Sequence, residues 1–79
     1  MDKTEFDSFI ELKIGDITAL VIDRKAFDFE KAIEYVYKSG LYRLLIQENT
    51  KLWHLSSEKL FDMLVNEKEN KQLIFPDYV

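Results

Sequence analysis

There is no cysteine in these 79 residues. That excludes a disulfide framework, a thiol nucleophile and thiolate metal ligation together. Two glycines and one proline are too few for the turns of a β-sandwich or barrel. Gly15 and Gly40 stand far apart, so there is no glycine-rich loop to cradle a phosphate. The single histidine, His54, has no second His or Cys to share a transition-metal site. No loop carries the regular Asp/Asn spacing of a calcium loop. No stretch approaches the roughly 18 apolar residues of a membrane span. The opening "MDKTEFDSF" places acids where a signal peptide would carry basic residues. The expected location is the cytoplasm, with no membrane association.

Basic charge is also scarce. Eleven Lys and Arg face fifteen Asp and Glu, for a net charge of −4. An acidic domain is repelled by phosphate backbones, and Lys38 with Arg43 is the best local basic cluster. Nucleic-acid binding is therefore disfavoured. The chain is 47% apolar, with eleven aromatic Phe, Trp and Tyr side chains, too apolar for a disordered tail. The expected organisation is a single small domain over residues 1–79, with no repeat and no linker.

The first third admits two periodicities. At helical spacing, Phe6, Ile10, Ile14, Ile17 and Val21 share one face. At a period of two, Ile10, Leu12 and Ile14 alternate, then Ile17, Ala19 and Val21, with Gly15-Asp16 as a two-residue turn. A hairpin over residues 9–22 is thus the alternative. The helix is preferred because the stripe runs through Gly15 unbroken and no third strand follows to support a lone hairpin.

Further on, Asp28 reads as an N-cap with Glu30 in the first turn. Phe29, Ala32, Ile33, Val36 and Tyr37 then form an apolar stripe, and Glu34 precedes Lys38 by four. Ser39-Gly40 ends this helix, with Gly40 expected in the left-handed region. Leu41, Leu44 and Leu45 suit a short third helix, and Glu48-Asn49 a turn. Ser56 reads as the N-cap of the last helix, with Leu55 and Leu60 at the spacing of a hydrophobic staple. Leu60, Phe61, Met63, Leu64 and Val65 supply its buried face. "NEKENK", residues 66–71, reads as a solvated helix end, and an apolar, extended tail follows around Pro76. The expected fold is all-α: a compact bundle of three to four short helices with an extended C-terminal tail.

Chemistry-bearing patterns are thin. Ser56 or Ser57 with His54 and an acid could be called a triad on composition, but "HLSS" has no adjacent glycine to build an oxyanion hole. Asp23 with Asp28, and Glu30 with Glu34, are better explained as solvated faces than as a glycosidase pair, which needs a cleft. No catalytic, cofactor-binding or metal residue is expected, and no cofactor. Trp53 and His54, side by side, read as a structural plug leading into a capped helix. Trp53 is also a candidate contact, since Trp and Tyr anchor interfaces. The candidate partner-binding residues are Trp53, Tyr42, Tyr37, Phe75 and Tyr78. The partner is another protein or a second copy of the chain.

The segments "AIEYVYKSGLYRLL", "TKLWHLSSEKLFDML" and "IFPDYV" resemble a group of small bacterial proteins without an assigned activity. The matching positions are Tyr37, Ser39, Tyr42 and Leu45, then Thr50, Leu52, Trp53, His54, Leu55 and Ser56. The resemblance covers roughly the last two-thirds of the chain. Such proteins resemble helical partners encoded beside toxin-like enzymes. The resemblance implies an antitoxin-like or accessory binding role and carries over no catalytic residue. A small DNA-binding regulator, using Lys59, Lys68 and Lys71 on the last helix, is the alternative.

Overall fold

The computed structural model describes residues 2–70. These form four α-helices, α1 (Lys3–Lys25), α2 (Phe29–Tyr37), α3 (Gly40–Leu45) and α4 (Ser57–Asn70), with two short 3-10 turns at Glu48–Thr50 and Leu52–His54. No strand occurs among the described residues. The fold is all-α. The tail around Pro76, with Phe75 and Tyr78, lies outside the described residues.

The longest element, α1, is the spine against which α2 and α4 both pack. Asp2 caps it by accepting from the Glu5 amide at 2.9 Å, and Arg24 and Lys25 occupy its last turn, where the helix dipole favours cations. It closes at Ala26, which adopts φ 57°, a left-handed conformation that costs a non-glycine residue about 1 kcal/mol. The helical stripe wins over the hairpin at 9–22. Phe6, Ile10, Ile14, Ile17 and Val21 are all buried. The period-two reading would have buried Leu12 and Ala19, and both are exposed.

Gly15 lies inside α1 with no positive φ, and a Cβ built there would meet nothing within 4 Å. Neither the backbone nor packing requires glycine here. Gly15→Ala is therefore expected to raise stability by about 1 kcal/mol. The thermal midpoint should rise by about 4–8 °C for a domain of this size. Thermal denaturation followed by circular dichroism checks this, and an unchanged or lowered midpoint contradicts it.

Asp28 caps α2 by accepting from the Lys31 amide at 2.8 Å, and Ser56 caps α4 by accepting from the Lys59 amide at 3.1 Å. Leu55 and Leu60, on either side of that cap, are both buried in the core. Lys38 meets Glu34 at 3.6 Å, a contact so exposed that it adds little.

Three expectations need correction. Gly40 is not a left-handed helix stop: no glycine has positive φ among the described residues, and Gly40 begins α3. Ser39 is the pivot instead. Its buried hydroxyl donates to the Val36 carbonyl at 2.5 Å and accepts from the Tyr42 amide at 3.0 Å, closing α2 and opening α3 with one atom. Second, the described part of the 66–71 run, residues 66–70, is not simply a solvated end. The Glu67 carboxylate accepts from the Gly40 and Leu41 amides at 2.6 and 2.9 Å, so α4 caps α3. A Cβ at position 40 would stand 3.3 Å from Glu67 Oε2, which is the physical use of that glycine. Third, the apolar stripe of α2 is only half interior. Ala32 and Val36 are buried, but Phe29 and Tyr37 are exposed. The wide stripe spans more of the helix than α1 covers.

Candidate functional site: an apolar trough along α1

Trp53 and His54 form a fastening. The indole N–H of Trp53 donates to the Glu48 carbonyl at 2.8 Å. Its ring meets the rings of Phe6 and Phe9 edge-on, at centroid distances of 6.0 and 6.2 Å, the arrangement aromatic quadrupoles favour. The His54 ring stacks on it at 4.0 Å. Two further bonds hold the same connection: Thr50 Oγ1 donates toward the Leu44 carbonyl at 2.8 Å, and Lys13 Nζ donates to the Leu55 carbonyl at 2.7 Å. The non-helical residues between α3 and α4 are thereby clamped to the first half of α1. Among the described residues no group of three His, Asp or Glu side chains is placed to hold a metal ion.

The feature that stands out is elsewhere. Four large apolar side chains are exposed among the described residues: Leu12 at 71%, Phe29 at 64%, Ile46 at 45% and Tyr37 at 44%. Three of them, Phe29, Tyr37 and Ile46, line adjoining hollows beside α1. An open groove of about 320 Å³ runs between α1 and α2, floored by Ile14, Gly15, Ala19 and Ile22 and walled by Phe29, Ile33 and Tyr37. A second recess, between α1 and α3, is lined by Phe6, Ile10, Tyr42 and Ile46 together with Asp7 and Glu11. Glu11 borders both. Tyr37 and Tyr42 lie against each other at 4.6 Å and join the walls. Leu12 stands one turn before Gly15 on the outer side of α1 and lines neither hollow. The result is one trough along much of α1. An apolar surface gathered in this way marks an interaction site more than scattered exposure does.

Its margins are acidic. Asp7 and Glu11 line it on α1, and Glu30 and Glu34 flank Phe29 and Ile33 on α2. Among the described residues no basic side chain lines the groove, the recess or the outer flank of α2. Two cations in the last turn of α1 are engaged by α4. Arg24 grips Glu58 of α4 through two bonds of 2.8 and 2.5 Å, and Lys25 reaches Glu69 at 2.8 Å. The hydrogen bond to Glu58 raises the pKa of Arg24, and the same bond lowers that of Glu58. Lys31 sits over the Phe27 ring at 4.3 Å, and Lys68 over Tyr35 at 5.0 Å. Asp7, Glu11 and Glu30 join no ion pair among the described residues.

Of the residues singled out from the sequence, Tyr37 and Tyr42 are brought together in the trough. Trp53 is half-buried in the fastening and does not line it. Phe75 and Tyr78 lie outside the described residues. Leu12, Gly15, Ala19 and Ile22 were not singled out, although their 3-4-3 spacing is a second seam on α1 and was readable. No described helix is long and apolar enough to cross a membrane. Compared with known proteins, the chain matches no family model, no curated protein and no solved structure.

Proposed function

We propose that this chain is a small non-enzymatic protein-interaction domain, acting in the cytoplasm as an accessory or antitoxin-like partner, and that the trough along α1 is its binding face. One observation carries this reading: of the four exposed large apolar side chains, Phe29, Tyr37 and Ile46 line two adjoining hollows that share Glu11 instead of scattering. The fold has no need of them there. The core is already built from buried Ile, Leu, Val, Phe and Met side chains, and buried polar side-chain atoms all have partners among the described residues. The DNA-binding alternative has no specific observation in its favour, since Lys68 covers Tyr35 and the remaining face of α4 carries Glu58, Asp62 and Glu69 among its lysines.

The test compares the tagged wild-type chain with the double variant Leu12→Glu/Phe29→Glu in the native host. Both positions are exposed, so circular dichroism and the thermal midpoint should change little. A protein retained stoichiometrically by the wild type and lost by the double variant is the expected result. A partner retained equally by both, or no stoichiometric partner, removes the reading.

A further inference from the structure

We propose, building on the reading of the trough as a protein-binding face, that its occupant is a cationic amphipathic helix supplied by the partner and laid along α1 against α2. Three observations converge on that chemistry.

The first is shape. A groove between two packed helices, floored by α1 and walled by α2, is the seat into which a third helix fits its own ridge of side chains. The floor residues Gly15 and Ala19 are the smallest side chains along it, so an incoming backbone can approach closely there.

The second is Gly15 itself. It has ordinary helical φ, and a Cβ at that position would touch nothing. The domain therefore carries a destabilising residue that its own fold does not use. A surface that must admit another backbone does use it, and stability given up at a binding site is a common trade.

The third is charge. Asp7, Glu11, Glu30 and Glu34 border the trough, no basic side chain among the described residues lines it, and the α1 cations Arg24 and Lys25 are held by α4. Glu34 meets Lys38 at 3.6 Å with both groups exposed, too weak a contact to cancel the acidic border. A second copy of this chain would bring the same acids against one another across a two-fold axis. A helix with Lys or Arg on either side of an apolar ridge would find them complementary, and the field would speed its approach.

The test uses the full chain and three synthetic helical peptides that share one apolar ridge and differ only in flanking residues: Lys, Gln or Glu. Binding is measured by titration calorimetry at low and high salt, and the site is mapped by amide chemical shifts. The Lys peptide is expected to bind about tenfold or more tighter than the Gln peptide at low salt, and to lose that advantage at high salt. Shifts should fall on Gly15, Ala19, Ile22, Phe29 and Ile33. Gly15→Leu, which fills the floor while improving helix propensity, should weaken binding at least about tenfold with an unchanged or raised thermal midpoint. Asp7→Asn/Glu11→Gln should narrow the gap between the Lys and Gln peptides without touching the floor.

Equal binding of the Lys and Gln peptides overturns the cationic assignment and leaves the binding face standing. Shifts elsewhere, or binding indifferent to Gly15→Leu, overturn the site. Failure of all three peptides overturns the helical occupant, whether light scattering then finds a dimer closed over α1 or residues 71–79 of the same chain cover the trough. In each case the Leu12→Glu/Phe29→Glu comparison reports separately on whether the face binds protein at all.

Discussion

Trp53→Ala is expected to destabilise the domain by about 3 kcal/mol, at the lower end of the range for removing a large aromatic because the ring is only half-buried. The substitution removes two edge-on contacts, to Phe6 and Phe9, and leaves the Glu48 carbonyl without its indole donor. A domain of this length has a total stability on the order of 4–8 kcal/mol, so the loss is a large share of it. Urea denaturation followed by circular dichroism measures it directly. Trp53→Phe keeps an aromatic body and drops only the N–H, and should cost about 1 kcal/mol. His54→Ala removes a ring that stacks on the exposed side of Trp53 and should cost less than either. An unchanged midpoint for Trp53→Ala would show that the indole does not fasten the connection to α1.

Glu67→Ala is expected to cost about 2 kcal/mol, because it strips the acceptor from two backbone amides that are partly buried. Those amides, of Gly40 and Leu41, bond to the carboxylate at 2.6 and 2.9 Å. The helix they begin has six residues, too short to persist without tertiary support. Losing the cap should therefore loosen α3 from α4 before the rest of the core. Hydrogen exchange would show this as faster exchange at Gly40 and Leu41, while the amides of α1 keep their protection. Glu67→Gln retains one carbonyl acceptor and should fall between the two. If Glu67→Ala matched the effect of a substitution at exposed Glu69, the carboxylate would be an ordinary surface acid.

The two substitutions differ in how readable they were beforehand. Trp53 announced itself by uniqueness and size. Glu67 sits in "NEKENK", where four of six residues are charged, and nothing local separates it from Glu69. What distinguishes it is the arrival of Gly40, 27 residues earlier in the chain, at hydrogen-bonding distance from its carboxylate. Local pattern carries no information about such an approach. Gly40 illustrates the same limit from the other side. A glycine after Ser at the end of a helix has a common local explanation, the left-handed stop, and here that explanation is wrong because a tertiary contact imposes a different constraint.

The candidate site shows a parallel division. Tyr37 and Tyr42 could be picked as amphipathic rings, but their contact at 4.6 Å depends on the angle Ser39 sets between α2 and α3. Phe29 was placed on the buried stripe because periodicity orders residues around a helix without saying how wide a partner covers it. Leu12, Gly15, Ala19 and Ile22 formed a second stripe in plain view. The stronger stripe, centred on Ile14 and Ile17, accounts for the helix by itself, so periodicity alone assigns the second one no partner.

The residue order by itself determined the all-α class, the caps at Asp28 and Ser56, and the buried face of α1. Each rests on interactions within about four residues, where spacing alone dictates which groups meet. The residue order also determined the excess of acid. Tertiary structure alone decided that α4 would cap α3, and that Arg24 and Lys25 of α1 would be held by α4 while Asp7 and Glu11 border a trough with no basic lining among the described residues. It also decided that Phe29, Tyr37 and Ile46 would line adjoining hollows beside α1. Those outcomes depend on which helix covers which side of α1, and that is settled by the packing of the whole core at once.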